Sequence, residues 1–298
     1  MRVFVTGATG FIGTAIVQEL IREGHQVLGL ARSETAAKSL TAAGAKVHRG
    51  DLENLDSLHS GAAASDGVIH TGFIHDFARF KQVSEIDRHA IEALGSALVG
   101  SDRPLVVTSG TALVAPGRVA TEEDVSTLTS NDFPRVASDE AARSVAARGV
   151  RISLVRLSPS VHGDGDHGFI PTLIRIAREK AVSAYVGEGL NRWTAVHRLD
   201  AAVLFRLALE KGAAGARYHG VADEAIGFKD IAGAIGRGLN IPVVSQSLDE
   251  AAAHFGWFAH FAGLDCPASS QLTRERLGWY PVQCSLLSDL HEGSYFKA

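Results

Sequence analysis

Along the first half of this chain, apolar positions alternate between two periods. Short apolar runs at residues 3–6, 27–31, 45–48, 67–70, 105–108 and 151–157 read as strands. Between them, apolar side chains recur every three to four residues over 11–22, 36–43, 55–61, 80–100 and 138–147, as on helices that bury one face. This rhythm predicts an α/β fold, a Rossmann-type doubly wound parallel sheet covered on both faces. Beyond Leu157 the rhythm breaks. Residues 158–168 are rich in Gly, Asp and His and read as a loop. A helix at 170–180, short strands near 182–186 and 193–196, a helix at 199–211 and a strand at 216–219 follow. The expected division is a first domain at 1–160, completed by about 197–222, and a small C-terminal domain from 161–196 and 223–298. The final stretch gathers Phe255, Trp257, Phe258, Phe261, Trp279 and Phe296, which suits either a pocket wall or a small core.

The first strand runs into Gly7-Ala8-Thr9-Gly10-Phe11-Ile12-Gly13 and then a helix with Ile12, Ala15, Ile16 and Leu20 at helical spacing. Gly7 permits a tight turn, Gly10 a close approach of backbone to a pyrophosphate, and Gly13 close packing of helix on strand. Free N–H groups and the dipole at the start of that helix stabilise phosphate charge. Gly7, Thr9, Gly10, Phe11, Ile12 and Gly13 are therefore candidate dinucleotide contacts.

Composition narrows the remaining choices. A hydrophobic share of 46% with 21% charged residues is ordinary for a well-buried globular chain. The net charge of −4 argues against nucleic acid or a membrane surface as partner. No apolar stretch nears the ~18 residues of a membrane span, and the apolar run at the N-terminus is too short for a signal peptide. Cys266 and Cys284 are the two cysteines, so neither a disulfide framework nor a cysteine metal motif is expected. The expected setting is cytoplasmic, with no metal.

With the glycines, a series of ordered motifs resembles the extended short-chain dehydrogenase/reductase family, which includes nucleotide-sugar epimerases and dehydratases. The motifs are Thr6-Gly7-x-x-Gly10-x-x-Gly13, Gly50-Asp51-Leu52, Val68-Ile69-His70-Thr71-Gly72, Val107-Thr108-Ser109 and Val155-Arg156-Leu157-Ser158-Pro159, followed by 191–197 and 199–202. The resemblance spans nearly the whole chain. It implies that the first domain binds the nucleotide and the small C-terminal one the substrate, that Asp51 and Leu52 sit at the adenine ring, that Thr71 and Gly72 line the pyrophosphate and ribose side, and that Pro159 belongs to the cofactor site. In the family a serine follows the fifth strand and a Tyr-x-x-x-Lys pair follows on a helix. Ser109 is in register with that serine, but residues 82–179 contain neither tyrosine nor lysine. On the register set by Ser138, Arg135 stands for the tyrosine and Asp139 for the lysine. The resemblance is thus to an atypical member that lacks the pair.

The end of the second strand reads Leu28-Gly29-Leu30-Ala31-Arg32-Ser33, with no acid before Glu34. A carboxylate there selects NAD, whereas Arg32 and Ser33 suit a 2′-phosphate, so NADP is expected over NAD. Ser109 is expected to polarise a substrate carbonyl. His75 and His162 are candidate proton donors because imidazole titrates near neutrality. His75 alternatively starts a helix and faces water. Asp164, Asp166 and His167 share the loop of His162, but ligands crowded so closely lack a metal scaffold. Arg135 and Asp139 are four apart, so Asp139 is placed to accept from the nicotinamide ribose and Arg135 to stabilise charge on a substrate oxygen. The alternative is a solvated ion pair. The leading expectation is an NADP-dependent oxidoreductase acting on a small, mostly apolar carbonyl compound. Epimerase or dehydratase chemistry with retained cofactor, and a non-catalytic NADP-binding sensor, stay open. A homodimer through the helices at 80–100 and 138–147 is expected.

Overall fold

Every βα unit read from the hydrophobic pattern forms in the computed structural model, which describes residues 1–114 and 117–297. The first half runs β1 (Arg2–Thr6), α1 (Phe11–Arg22), β2 (Gln26–Ala31), α2 (Glu34–Ala42), β3 (Lys46–Arg49), α3 (Leu55–Ala63), β4 (Gly67–His70), α4 (Phe80–Ser96), β5 (Leu105–Gly110), α5 (Ala137–Ala147) and β6 (Ile152–Leu157). The second half adds β7 (Ser160–His162), α6 (Phe169–Lys180), β8 (Ser183–Val186), β9 (Arg192–His197), α7 (Arg198–Lys211), β10 (Arg217–Gly220), β11 (Asp223–Gly227), α8 (Phe228–Leu239), β12 (Val243–Gln246), α9 (Leu248–Phe255), α10 (Ala259–Ala262), α11 (Gln271–Leu277) and α12 (Leu286–Glu292).

Seven strands form one sheet in the order β10-β6-β5-β4-β1-β2-β3, with every adjacent pair parallel. Alternation along each strand splits the core into two layers. Val3, Val5, Ile69, Val106 and Val155 pack under α1 and α7 with Ile16, Leu20 and Phe205. Phe4, Val68, Leu105, Val107 and Leu154 face the other way, against Leu58, Ile91, Leu94 and Val145 of α3, α4 and α5. Each fully buried Ile or Leu contributes about 1.5–3 kcal/mol, so these layers hold the strand ends in fixed register.

The smaller part has a three-stranded sheet, β11-β9-β7, and a parallel pair, β12-β8. Its core joins Trp193, Phe228, Phe255 and Phe258. Two expectations are corrected here. The segment 158–168 is not all loop, because β7 pairs with β9 within it. Nor is 223–298 all substrate domain: Leu277 and Trp279 belong to the core under α1 and α7. The Trp279 indole donates to the Asp200 carbonyl at 3.0 Å, and the Asp200 carboxylate accepts from Val282 and Gln283 N–H at 3.0 Å each. Trp279 is therefore no pocket wall; it pins the tail to the nucleotide domain.

Candidate active site

The carboxyl ends of β1 and β4 meet in a glycine cradle. Thr71 Oγ1 donates to the Thr6 carbonyl at 2.9 Å, and Gly72 N–H donates to Thr6 Oγ1 at 3.2 Å. Gly7 has φ +65°, and a Cβ there would lie 2.7 Å from the Gly72 nitrogen. A Cβ on Gly13 would lie 1.9 Å from the Gly7 carbonyl oxygen, so only glycine lets α1 sit this close. Helix α1 starts at Gly10 with no side chain capping it. Its first N–H groups and positive dipole end are left for an anion, which fits a dinucleotide pyrophosphate. Thr9 is exposed, and Phe11 and Ile12 are half-buried on the first turn. The Phe11 ring packs edge-on to His167 at 5.7 Å and lies under the Arg198 guanidinium at 5.3 Å. The cradle thus touches the loop after β7 and the start of α7.

At the β2 end, Arg32 is exposed and has no hydrogen-bond or ion-pair partner among the described residues. Ser33 caps α2, its Oγ accepting from Ala36 N–H at 3.1 Å. Glu34, the nearest acid in sequence, is paired with Arg49, which also donates to the Ser33 carbonyl at 3.0 Å. Asp51 is exposed and turns its own loop, accepting from Glu53 and Asn54 N–H at 2.9 Å each. Leu52 borders Gly72, where an added Cβ would meet it at 3.0 Å. Pro159 is half-buried between β6 and β7.

At the end of β5, two separate polar networks meet the start of α5. In the first, Ser109 Oγ donates to Asp139, whose other carboxylate oxygen lies 3.4 Å from Arg156 Nη2. Ser109 and Asp139 are each 5% exposed and Arg156 is 1% exposed. Ser109, Arg156 and His219 stand side by side on β5, β6 and β10. Burial lowers the Arg156 pKa, while Asp139 opposes that fall. Burial and the Arg156 charge push His219 down to about 4, so its imidazole is neutral near pH 7.

In the second network, Arg135 Nη1 donates to Asp87 at 2.8 Å and to Ser138 Oγ, and Nη2 donates to the Thr108 carbonyl at 3.2 Å. Asp87 also accepts from Ser138 and lies 3.0 Å from His70 Nε2. His70 Nδ1 then meets Thr6 Oγ1 at 2.7 Å, so a continuous polar chain joins the cradle to Arg135. With Asp87 accepting, His70 Nε2 is the donor of that bond. Burial pushes the Asp87 pKa up, but the Arg135 charge and the His70 and Ser138 hydrogen bonds outweigh it, leaving it below the usual carboxylate value. The Arg135 guanidinium also lies over the Phe73 ring, 4.3 Å from its centroid.

These contacts correct the expected ribose role of Asp139, because its carboxylate is turned inward to Arg156 and Ser109. They also exclude the solvated Arg135–Asp139 pair. Arg135 sits on a 3₁₀ turn, Pro134–Val136, just before α5, and the two side chains reach different partners. His162 is corrected as a cleft proton donor: it is fully buried, with Nδ1 2.8 Å from Asp289 of α12. His75 lies before the helix rather than on it and is exposed, as the water-facing alternative had it. It packs edge-on to Phe73 at 5.3 Å, and desolvation with the charges of Arg135 and His167 lowers its pKa.

Beside these groups, Phe77 stacks on Trp257 at 4.8 Å and meets Phe261 at 6.2 Å, while Phe80 packs against Phe73 and Phe133 at 6.5 and 5.5 Å. Trp257 is 51% exposed. Of the C-terminal aromatics, Trp257 and Phe261 reach this cluster, whereas Phe255 and Phe258 are small-domain core. The loop of Asp164 and Asp166 is held by the tail through Ser294 and Tyr295, each at 2.7 Å. Among the described residues no cluster of His, Cys, Asp or Glu is placed to hold a metal.

Sequence reasoning missed Asp87, His70 and Arg156. Asp87 left a signal: it falls on the buried stripe of α4 with Val83, Ala90 and Leu94, where a lone carboxylate needs a buried partner.

A glycine cradle at β1, a serine at the end of β5 and a small domain beside them define a nicotinamide-dinucleotide enzyme of the doubly wound type. The chain belongs to the NAD dependent epimerase/dehydratase family, whose model matches residues 3–221, and is of the extended short-chain dehydrogenase/reductase type. Members are NAD(P)-dependent epimerases, dehydratases or oxidoreductases. An uncharacterized protein of Schizosaccharomyces pombe is 50% identical over 297 residues, 99% of this chain and 100% of that one. A 4-hydroxy-2-methyl-3-oxo-4-farnesyl-3,4-dihydroquinoline-1-oxide ketoreductase of Stigmatella aurantiaca is 28% identical over 229 residues, 73% of this chain and 67% of its own. Among solved structures, the dTDP-glucose 4,6-dehydratase DesIV of Streptomyces venezuelae, with NAD and TYD bound, is alike in fold. Its TM-score is 0.79 at 19% identity, over 99% of this chain and 96% of that one.

Proposed function

We propose that the protein is an NADP-dependent oxidoreductase that reduces a small, apolar, ring-bearing carbonyl compound. The observation that carries this reading is Arg135, held by Asp87, Ser138 and the Thr108 carbonyl over Phe73, one residue from Ser109 in β5. A guanidinium fixed in this way stabilises negative charge growing on a carbonyl oxygen without reorganising. The aromatic cluster of Phe73, Phe77, Phe80 and Trp257 suits a flat apolar substrate. The ketoreductase named among the relatives supports carbonyl chemistry. NADP is favoured over NAD because Arg32 is unpaired while Glu34 is neutralised by Arg49. When bound, the nicotinamide supplies the hydride; Gly7, Gly10, Gly13 and the first turn of α1 would hold the pyrophosphate, and Arg32 the 2′-phosphate.

The test is oxidation of NADPH by the purified protein with a panel of aromatic and aliphatic aldehydes and ketones. Turnover of aromatic members, faster with NADPH than with NADH, is expected. No turnover of any member refutes an oxidoreductase. We extend the proposal to a cytoplasmic homodimer joined through α4 and α5, which light scattering at micromolar concentration checks. No helix of the described residues is long and apolar enough to cross a membrane.

A further inference from the structure

We infer that Ser109 and Asp139 form a two-residue proton relay, with Ser109 against the substrate oxygen and Asp139 holding the proton behind it. The inference rests on the oxidoreductase reading above. A hydroxyl has a single proton, and the Ser109 proton is given to Asp139. Ser109 Oγ therefore has only lone pairs to offer a substrate, which is the wrong polarity for polarising a carbonyl and the right one for accepting an alcohol O–H. To give a proton to a carbonyl, Ser109 must be resupplied, and Asp139 is the titratable group bonded to it. Arg135 cannot serve, because guanidinium stays protonated. His162 is tied to Asp289.

The groups facing this carboxylate come from each neighbouring element. Ser109 lies on β5 and Arg156 on β6, and His219 on β10 stands beyond Arg156, while Arg135 on the turn before α5 is turned to Asp87. Arg156 is further fixed by the Asp124 carbonyl at 2.8 Å. Ser138, the residue before Asp139, turns instead to Asp87. The start of α5 thus sends one side chain into each network, and Asp139 is free of the Arg135 anchor.

In the oxidation direction, the substrate O–H proton passes to Ser109 Oγ as the Ser109 proton passes to the Asp139 carboxylate. Bound NADP⁺, held at the glycine cradle, would supply the acceptor for the substrate C–H hydrogen and its electron pair, and the C=O bond forms as the two protons move. In reduction each movement is reversed, and Asp139 regains its proton from water after the turnover.

The experiment compares the parent with Ser109→Ala, Asp139→Asn, their double variant, Asp139→Glu and His75→Ala, using benzaldehyde with NADPH and benzyl alcohol with NADP⁺. Both single variants are expected to lose ~10²–10⁴-fold in kcat, with the double variant no slower than the worse single one. Asp139→Glu should recover part of the loss. NADPH affinity, read from tryptophan fluorescence, should stay within about twofold of the parent in Ser109→Ala. The parent should show a solvent deuterium effect on kcat that is absent in that variant. Ser109→Ala leaves the Asp139–Arg156 pair in place, so it decides the matter even if Asp139→Asn fails to fold. An active parent whose Ser109→Ala variant keeps kcat overturns the relay alone and leaves Asp139 as the counter-ion of Arg156. A kcat loss in His75→Ala as large as in Ser109→Ala transfers the proton to His75 and also overturns it. A parent that turns over no aldehyde or alcohol removes the oxidoreductase reading and the relay with it.

Discussion

Replacing Arg135 by Met keeps an apolar stem over Phe73 and removes the charge that Asp87 relies on. The Asp87 side chain is 2% exposed and that of Arg135 17%, so little solvent screens the pair. Breaking a buried ion pair from one side costs about 3–5 kcal/mol. Asp87 keeps hydrogen bonds from His70 and Ser138, which brings this loss just below that range, to about 2–3 kcal/mol. On a chain of 298 residues each kcal/mol shifts Tm by about 2 °C, so a fall of roughly 4–6 °C at pH 7 is expected. The pH dependence carries a sign. In the parent, Asp87 has a folded pKa below its unfolded value. It therefore adds stability that is fully present above about pH 3.9 and is lost as pH falls through the folded pKa. Without Arg135 that pKa rises, so the gap between parent and variant is widest at neutral pH and closes on acidification. Adding Asp87→Asn should restore the Tm but not the activity, since the charge facing the substrate is still missing. The expected fall in kcat/KM for both variants is ~10²-fold. Thermal melts from pH 7 to pH 4 and steady-state rates check this. A variant with parental Tm at neutral pH and kcat/KM within about twofold refutes the buried anchor and the electrostatic role together.

Gly13→Ala places a Cβ 1.9 Å from the Gly7 carbonyl oxygen, so α1 must move by roughly 1 Å off the strand. Fluorescence titration should show NADPH binding weakened at least ~tenfold, and unchanged binding would mean the cradle does not hold the pyrophosphate. Arg32→Ala should weaken NADPH by about 10–100-fold and leave NADH unaffected; equal loss for both cofactors would sink the preference for NADP. His219 has its folded pKa lowered to about 4. It contributes stability present above about pH 6.5 and lost as pH falls toward 4, on the order of 3 kcal/mol in all. His219→Gln should flatten that acid limb, and a parental pH profile would refute it.

The fold was legible where burial imposes a period. Strands and helices of the first half were each readable because two covered faces force continuous apolar strands and striped helices. The C-terminal part was opaque for a physical reason. Short elements such as α10, α11 and α12 sit among core residues from distant segments, so their patterns do not repeat long enough to show a period. The cradle was readable because glycine need is local to the chain. The charged networks were not, since the ion pairs Arg135–Asp87 and Arg156–Asp139 join residues 48 and 17 apart. Arg135 lies on the 3₁₀ turn before α5 and Asp139 in the first turn of α5, and sequence spacing cannot say which way two side chains turn. His162 misled because a histidine in a glycine-rich loop reads as accessible, and α12 covers it.

The same networks set what an exchange of Arg135 and Asp139 for tyrosine and lysine would cost. At four residues apart on a bare helix, Arg135 and Asp139 would form an exposed pair worth ~0.3–0.5 kcal/mol. Here each neutralises a buried charge from another element: Arg135 serves Asp87 of α4, and Asp139 serves Arg156 of β6. Exchanging them for Tyr and Lys leaves Asp87 without its cation and Arg156 without its carboxylate. The double variant Arg135→Tyr with Asp139→Lys is therefore expected to lose more stability than Arg135→Met alone, and to lose activity rather than gain it. Adding Asp87→Asn and Arg156→Met removes both stranded charges and should recover most of the Tm. Thermal melts of the double and the fourfold variants decide it. A double variant as stable as the parent would mean that these ion pairs are not coupled to the two positions and that the exchange is neutral to the fold.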